Sequence, residues 1–80
     1  MKASFHQLFA KGIENIFRYT SFRDINDFVY QYGKHMRIPN NGISTEQTGE
    51  FTYKLRIDFG DMISEFELVF NEHFVLQHVN

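Results

Sequence analysis

The sequence is poor in the residues that support covalent cross-links or a membrane anchor. Among its 80 residues there is no cysteine, no tryptophan and a single proline. The lack of cysteine excludes disulfides, thiolate catalysis and cysteine-ligated zinc. No apolar run approaches the roughly 20 residues that cross a bilayer, and polar residues interrupt the N-terminal stretch where a signal peptide would lie. We therefore expect a cytoplasmic protein without a membrane partner.

The composition that remains is typical of a folded chain. Hydrophobic residues make up 42% of the sequence and aromatic residues 18%, with ten phenylalanines. This is more bulky apolar material than a disordered chain contains. A chain of this length forms one domain with a stability of roughly 4 to 12 kcal/mol. The sequence predicts a single domain over residues 1–80.

Positive and negative charges are divided unevenly along the chain. Residues 1–45 contain six Lys and Arg residues and three acidic residues. Residues 46–80 contain two Lys and Arg residues and seven acidic residues. Nucleic-acid-binding proteins concentrate Lys and Arg with few acids between them. Here the basic residues are scattered, so we do not expect a nucleic-acid partner.

An amphipathic helix is predicted over residues 5–19. Ser4 and Gln7 have the spacing of a capping box, and apolar residues then recur at helical spacing. Gly12 interrupts the helix at a cost of about 1 kcal/mol relative to alanine. Polar residues such as Glu14 are expected to face water.

A second helix is predicted over residues 22–36. Ser21 and Asp24 repeat the capping pattern, and a new apolar stripe follows. Because only two residues separate the helices, we expect an αα-hairpin or an angled corner. Residues 37–50 lose this periodicity and have the composition of a loop.

The stretch KLRIDFGDMISEFEL, residues 54–68, predicts a β-hairpin that turns at Gly60-Asp61. Glycine supplies the positive φ that such a two-residue turn requires, and the turn sets the register. One face then carries apolar pairs that we expect in the core: Phe59 with Met62, Ile57 with Ser64, Leu55 with Phe66, Tyr53 with Leu68, and Phe51 with Phe70. The other face places opposite charges across the ladder: Lys54 with Glu67, and Arg56 with Glu65. The apolar and charged patterns select the same register.

A third strand is predicted over residues 74–79, with two possible orientations. We favour the one that turns Phe74, Leu76 and His78 towards the core, because it buries the larger apolar area. The alternative orientation turns the other three residues towards the core: Val75, Gln77 and Val79. The predicted fold is α+β, with two N-terminal helices packed on one face of a three-stranded antiparallel meander, ααβββ.

The sequence contains no recognisable catalytic or metal-binding motif. His73 and His78 lie across a turn or on opposite faces, without the i, i+4 helical spacing of zinc proteases. Glu65 and Glu67 lie about 7 Å apart on one strand face, but they face basic residues on an open surface. A catalytic carboxylate pair needs a concave, desolvated site. We predict no catalytic residue, no metal and no cofactor.

Two helices followed by the runs YGKHMRIPNN, YKLRIDFGD and FVLQHV resemble the order of elements in the RelE/HigB-type ribosome-dependent mRNA-cleaving toxins. The resemblance covers about residues 20–79 and implies a ribonuclease related to that family. In those toxins a strand precedes the helices, and basic residues of the sheet and the C-terminal tail bind and cleave RNA. This chain lacks the leading strand and the basic tail, and it has Glu65 and Glu67 on its middle strand. The resemblance therefore transfers no catalytic residue.

The outer face of the predicted sheet has the composition of an interaction surface. Apolar side chains there border a charged ladder, which is typical of a modest partner-binding site. We predict a small non-enzymatic protein-binding module: an inhibitor, an immunity-type protein or a regulatory protein. The alternative is a RelE/HigB-like toxin or a degenerate ribonuclease domain. The candidate partner-binding residues are Ile63, Glu65, Glu67, Val69, Val75 and Val79.

The C-terminal strand is also predicted to form an unprotected sheet edge. Residues 74–79 contain no lysine and no proline to discourage pairing with other strands. We expect this edge to be covered by strand pairing in a two-fold homodimer or by a strand of a protein partner. A fold of the 39–49 loop over the edge is the competing possibility.

Overall fold

The fold consists of two helices followed by a four-stranded antiparallel sheet. The structure is a computed structural model and describes residues 4–39 and 42–80. Its elements are α1 (Phe5–Phe17), α2 (Ile25–Met36), β1 (Ile43–Gln47), β2 (Thr52–Asp58), β3 (Ile63–Phe70) and β4 (Leu76–Val79). The strand order is β1-β2-β3-β4. The predicted α+β class and the order of helices before strands are confirmed, but the prediction of three strands is wrong. None of the described helices is long and apolar enough to span a bilayer.

The additional strand, β1, lies in the segment predicted as a loop. It pairs with β2 in an antiparallel register from Ile43 opposite Ile57 to Gln47 opposite Tyr53. Only one face of this edge strand touches the core, where Ile43 is buried and Thr45 is half-buried. The strand is therefore mostly polar, and the sequence lacks the apolar alternation by which strands are recognised.

Capping residues define where both helices begin. The backbone N–H of Gln7 donates to the Ser4 hydroxyl at 3.1 Å and the Ser4 N–H donates to the Gln7 side chain at 3.0 Å, so the capping box is confirmed. The second helix begins at Ile25, three residues later than predicted. Its cap is Asp24, whose carboxylate accepts from the N–H of Asp27 at 2.9 Å.

Aromatic rings fill the space between the helices and the sheet. Phe28 of α2 lies 5.4 Å from Phe17 of α1 and 5.8 Å from Phe70 of β3, measured between ring centroids. Phe22, in the connection between the helices, lies 5.2 Å from Phe28. These rings join the helices to one face of the sheet. The α1 helix packs mainly against β4, and α2 packs against β1.

The predicted register of the β2–β3 hairpin is confirmed. Leu55 pairs with Phe66 on the core face, and Lys54 with Glu67 on the outer face. The expectation that all five apolar pairs lie in the core is wrong at the ends of the hairpin, where Phe51 is 37% exposed and Met62 is 43% exposed. The turn contains Gly60 at a φ of 99°. The N–H of that glycine donates to the Asp58 carboxylate at 2.8 Å.

The last strand follows neither predicted alternation. The β3–β4 ladder shifts register between Val69 and Phe70, as in a β-bulge. Leu76 and Val79 are both buried, while the intervening Gln77 and His78 are exposed. The expectations that His78 points to the core and that Val79 lies on the outer face are therefore wrong.

The outer edge of β4 is covered at both ends by residues of the same chain. Before the strand, Ser21 forms an isolated bridge with Val75, and the Phe22 N–H donates to the Phe74 carbonyl at 3.0 Å. At the other end, the Val79 N–H donates to Glu14 Oε1 at 2.8 Å. The expected free edge is therefore wrong, and so is its covering by the 39–49 loop. That loop contains β1, which lies at the opposite edge of the sheet.

Glu14 closes this edge as an ionised carboxylate. Its side chain is 13% exposed and lies 2.8 Å from His78 Nδ1 and 3.5 Å from Lys11 Nζ. Burial raises the pKa of the carboxyl, but the Val79 hydrogen bond and the charges of His78 and Lys11 outweigh it and lower that pKa below its ordinary value. The prediction that Glu14 faces water is corrected accordingly.

We predict that Gly60→Val lowers the free energy of unfolding by more than about 1 kcal/mol, since a β-branched residue is strained at positive φ. Gly12→Ala is the matched control, because a methyl group there meets no atom within 4 Å. We expect that helical substitution to stabilise the protein by up to about 1 kcal/mol. Urea unfolding measures both, and a Gly60→Val variant as stable as the wild type would contradict the assignment of the turn.

We predict a pH-dependent loss of stability in Glu14→Gln. A lowered pKa in the folded state stabilises the protein above the ordinary carboxyl pKa of about 4.3, and this contribution disappears as the pH falls through the lowered value. Glutamine keeps an acceptor for the Val79 N–H but loses the charge, so we expect a loss of about 1 kcal/mol at neutral pH. Urea unfolding at a series of pH values should show the two proteins converging in acid. A difference that stays constant with pH would contradict this account.

Candidate binding surface on the outer sheet face

The outer face of the sheet lies opposite both helices and carries most of the acidic residues of the second half. The side chains on it are Ser44 and Glu46 of β1, Thr52, Lys54, Arg56 and Asp58 of β2, and Ile63, Glu65, Glu67 and Val69 of β3. We refer to these ten residues as the outer face. It carries four carboxylates and two cations, so its net charge is negative.

The ion pair on the outer face runs diagonally across the ladder. Lys54 Nζ lies 3.2 Å from Glu65 Oε2, although Lys54 stands directly opposite Glu67. Glu67 instead accepts a hydrogen bond from the Asn80 side chain at 2.9 Å. The predicted cross-strand positions are confirmed, but Lys54 forms its salt bridge with the diagonal neighbour Glu65 and not with Glu67. Within the described residues, Arg56 forms no ion pair.

Apolar side chains lie at both ends of β3. Ile63 is 51% exposed, and Met62, which precedes it in the turn, is 43% exposed. Val69, near the other end of the strand, is half-buried. Glu65 and Glu67 separate them. On the outer face, the exposed apolar area is thus concentrated at Ile63, beside the carboxylates.

The structure brings together four of the six residues predicted for partner binding. Ile63, Glu65, Glu67 and Val69 share the outer face. Val75, which precedes β4, is half-buried and forms the bridge to Ser21. Val79 is 4% exposed and belongs to the core. The candidate surface is therefore centred on β3, and it does not extend to Val79.

Shallow depressions mark the outer face between its side chains. One of about 330 Å³ lies between Lys54, Glu65 and Glu67. Two smaller ones, of about 140 and 200 Å³, are lined by Ser44 and Arg56 together with neighbouring residues.

A second polar cluster lies between α1 and the end of β4 and was missed by the sequence reasoning. Glu14 and His78 are in contact there, and His78 Nε2 lies 2.7 Å from the Asn80 side-chain oxygen. A groove of about 450 Å³ runs beside them, bordered by His6 and Lys11. No sequence signal predicts this cluster, since Glu14 and His78 are far apart in the chain.

His73 and His6 contact neighbouring side chains of the fold. His73 lies 3.5 Å from the Glu72 carboxylate in the turn before β4, and the ring of His6 stacks on Phe66 at 4.5 Å. Within the part of the chain that the structure describes, no three His, Asp or Glu side chains are arranged to hold a metal ion.

We predict that Glu65→Gln combined with Glu67→Gln changes the free energy of unfolding by less than about 1 kcal/mol. Both carboxylates are exposed, and surface ion pairs contribute little to stability. Urea unfolding of the double variant beside the wild type measures the difference. A loss well above this value would show that the ladder of charges supports the fold itself.

Comparisons with known proteins place the chain in no family. No protein-family model matches it, and no curated protein and no solved structure shows a significant match. The resemblance to RelE/HigB-type toxins gains no support from these comparisons and stays an expectation from the order of elements.

Proposed function

We propose that the protein is a small non-enzymatic protein-binding module, such as an inhibitor, an immunity-type protein or a regulatory protein, and that it binds its partner through the outer face. The observation that carries the proposal is the exposure of Ile63, half of whose surface is accessible beside a row of carboxylates. An open antiparallel sheet normally turns polar residues to water. An apolar patch with a charged surround is the usual composition of a modest interface.

The chemistry of the outer face favours a basic protein as the partner. Its four carboxylates attract Lys and Arg side chains and increase the rate of encounter with a basic surface. Ile63 supplies the apolar contact that a bound partner would cover. The depression between Lys54, Glu65 and Glu67 is large enough to receive one side chain of that partner.

The same charges disfavour the ribonuclease alternative. Proteins that bind RNA neutralise phosphates with Lys and Arg, and a face with excess carboxylates repels the RNA backbone. RelE/HigB-like toxins use basic residues on the sheet, whereas β3 of this chain carries Glu65 and Glu67 on its outer face. We therefore retain the binding module as the proposed function.

The proposal predicts that substitutions on the outer face abolish partner binding without unfolding the protein. Tagged wild-type protein, Ile63→Asp and Glu67→Lys are used to capture partners from the native lysate. Glu72→Lys is the matched control, because it makes the same change of charge at an exposed turn residue away from the outer face. We expect a captured basic protein to be retained by the wild type and by Glu72→Lys and lost from the other two.

Two results would contradict the proposal. One is equal capture by all four proteins, which would place binding elsewhere. The other is cleavage of mRNA when the purified protein is mixed with translating ribosomes, which would favour the toxin-like alternative. Circular dichroism of each variant establishes that its fold is intact.

A further inference from the structure

The two edges of the sheet differ in how their outward backbone groups are satisfied. At the β4 edge, Val79 donates to Glu14 and the Ser21–Phe22 segment pairs with residues 74–75. At the β1 edge, the hydrogen bonds between β1 and β2 show which backbone N–H and C=O groups of β1 point outwards. The Thr48 N–H donates to the Thr52 carbonyl at 2.9 Å, and antiparallel strands alternate between hydrogen-bonded and non-hydrogen-bonded pairs.

This alternation turns the backbone groups of Ser44 and Glu46 towards β2 and those of Ile43, Thr45 and Gln47 away from the sheet. None of the outward groups is hydrogen-bonded to another described residue. The strand contains no proline, no lysine and no glycine. Such an edge is a template for another strand.

We propose that β1 pairs with β1 of a second copy of this chain, antiparallel about a two-fold axis at Thr45, and joins the two sheets into one of eight strands. The sequence of β1 suits this arrangement. Thr45 meets its own counterpart, Ile43 meets Gln47, and Ser44 meets Glu46, so no like charges stand directly opposite each other. The pairing forms about six backbone hydrogen bonds.

Across the proposed axis each Glu46 is a diagonal neighbour of its own counterpart, about 7 to 8 Å away, and Arg56 of the second copy supplies the cation that offsets this repulsion. Ser44 lies between Arg56 of its own sheet and Glu46 of the second copy, with Arg56 and that Glu46 two strand spacings apart, about 10 Å. The short serine leaves a depression of about 140 Å³ beside Arg56, over which the two long side chains can meet. Neither Arg56 nor Glu46 forms an ion pair with a described residue of its own chain. The two-fold axis produces this contact twice.

The charges provide a test that distinguishes this pairing from any other. Glu46→Arg alone places two cations across the axis, and Arg56→Glu alone places two carboxylates there. We expect each variant to dimerise about tenfold more weakly than the wild type. An equimolar mixture restores both complementary contacts, so it should form heterodimers with an affinity close to that of the wild type. Analytical ultracentrifugation over a wide concentration range measures all four samples.

Amide hydrogen exchange supplies the second readout. The N–H groups of Ile43, Thr45 and Gln47 should exchange more slowly as the concentration rises, whereas those of Ser44 and Glu46 should not change. Thr45→Pro removes the N–H at the axis, and proline is tolerated in an edge strand where the N–H points outwards. We therefore expect this variant to remain folded and monomeric. Thr45→Val is its control and should still dimerise.

Three outcomes would overturn the proposal: a wild type that stays monomeric at the highest concentration, a mixture of the charge variants that dimerises no better than either alone, or a dimer in which Thr45 exchanges as freely as in the monomer. None of these outcomes bears on partner binding by the outer face. The two proposals can therefore fail separately.

Discussion

The pairing of β2 with β3 determines where the other parts of the molecule lie. With Gly60 at positive φ, the turn aligns Leu55 with Phe66 and so directs one face of the hairpin to the aromatic core. A slip of one residue would turn those side chains to water and the carboxylates inwards. The helices have a surface to pack on only because this register holds. The charged character of the opposite face has the same origin.

The features that local pattern specifies were predictable. The β2–β3 register follows from alternation and opposite charges within a short stretch, and the cap at Ser4 follows from a spacing of three residues. Features that depend on distant parts of the chain were not. Ser21 looks like a helix cap, but its hydroxyl donates to the His73 carbonyl at 2.9 Å, so the helix begins only at Ile25.

The candidate surface was also predictable only where it depends on local pattern. Glu65, Glu67, Ile63 and Val69 share a face because they alternate along one strand, and this needs no tertiary information. The positions of Val75 and Val79 depend on the bulge in the β3–β4 ladder and on contacts with the first half of the chain. The strand β1 was missed for a related reason, since an edge strand with one solvated face needs only Ile43 to be apolar and buried.

The hydrogen bond from Val79 to Glu14 has a kinetic consequence. It joins residues 65 positions apart, so it forms only when the first helix has returned to the last strand. The β2–β3 hairpin closes a short loop and can form early, whereas contacts of high sequence separation form late because they must close a long loop. Until the first helix docks, the refolding chain exposes two pairing edges instead of one. The partly folded chain is therefore the species most prone to aggregate, and refolding yield should depend more steeply on concentration than the stability of the native state does.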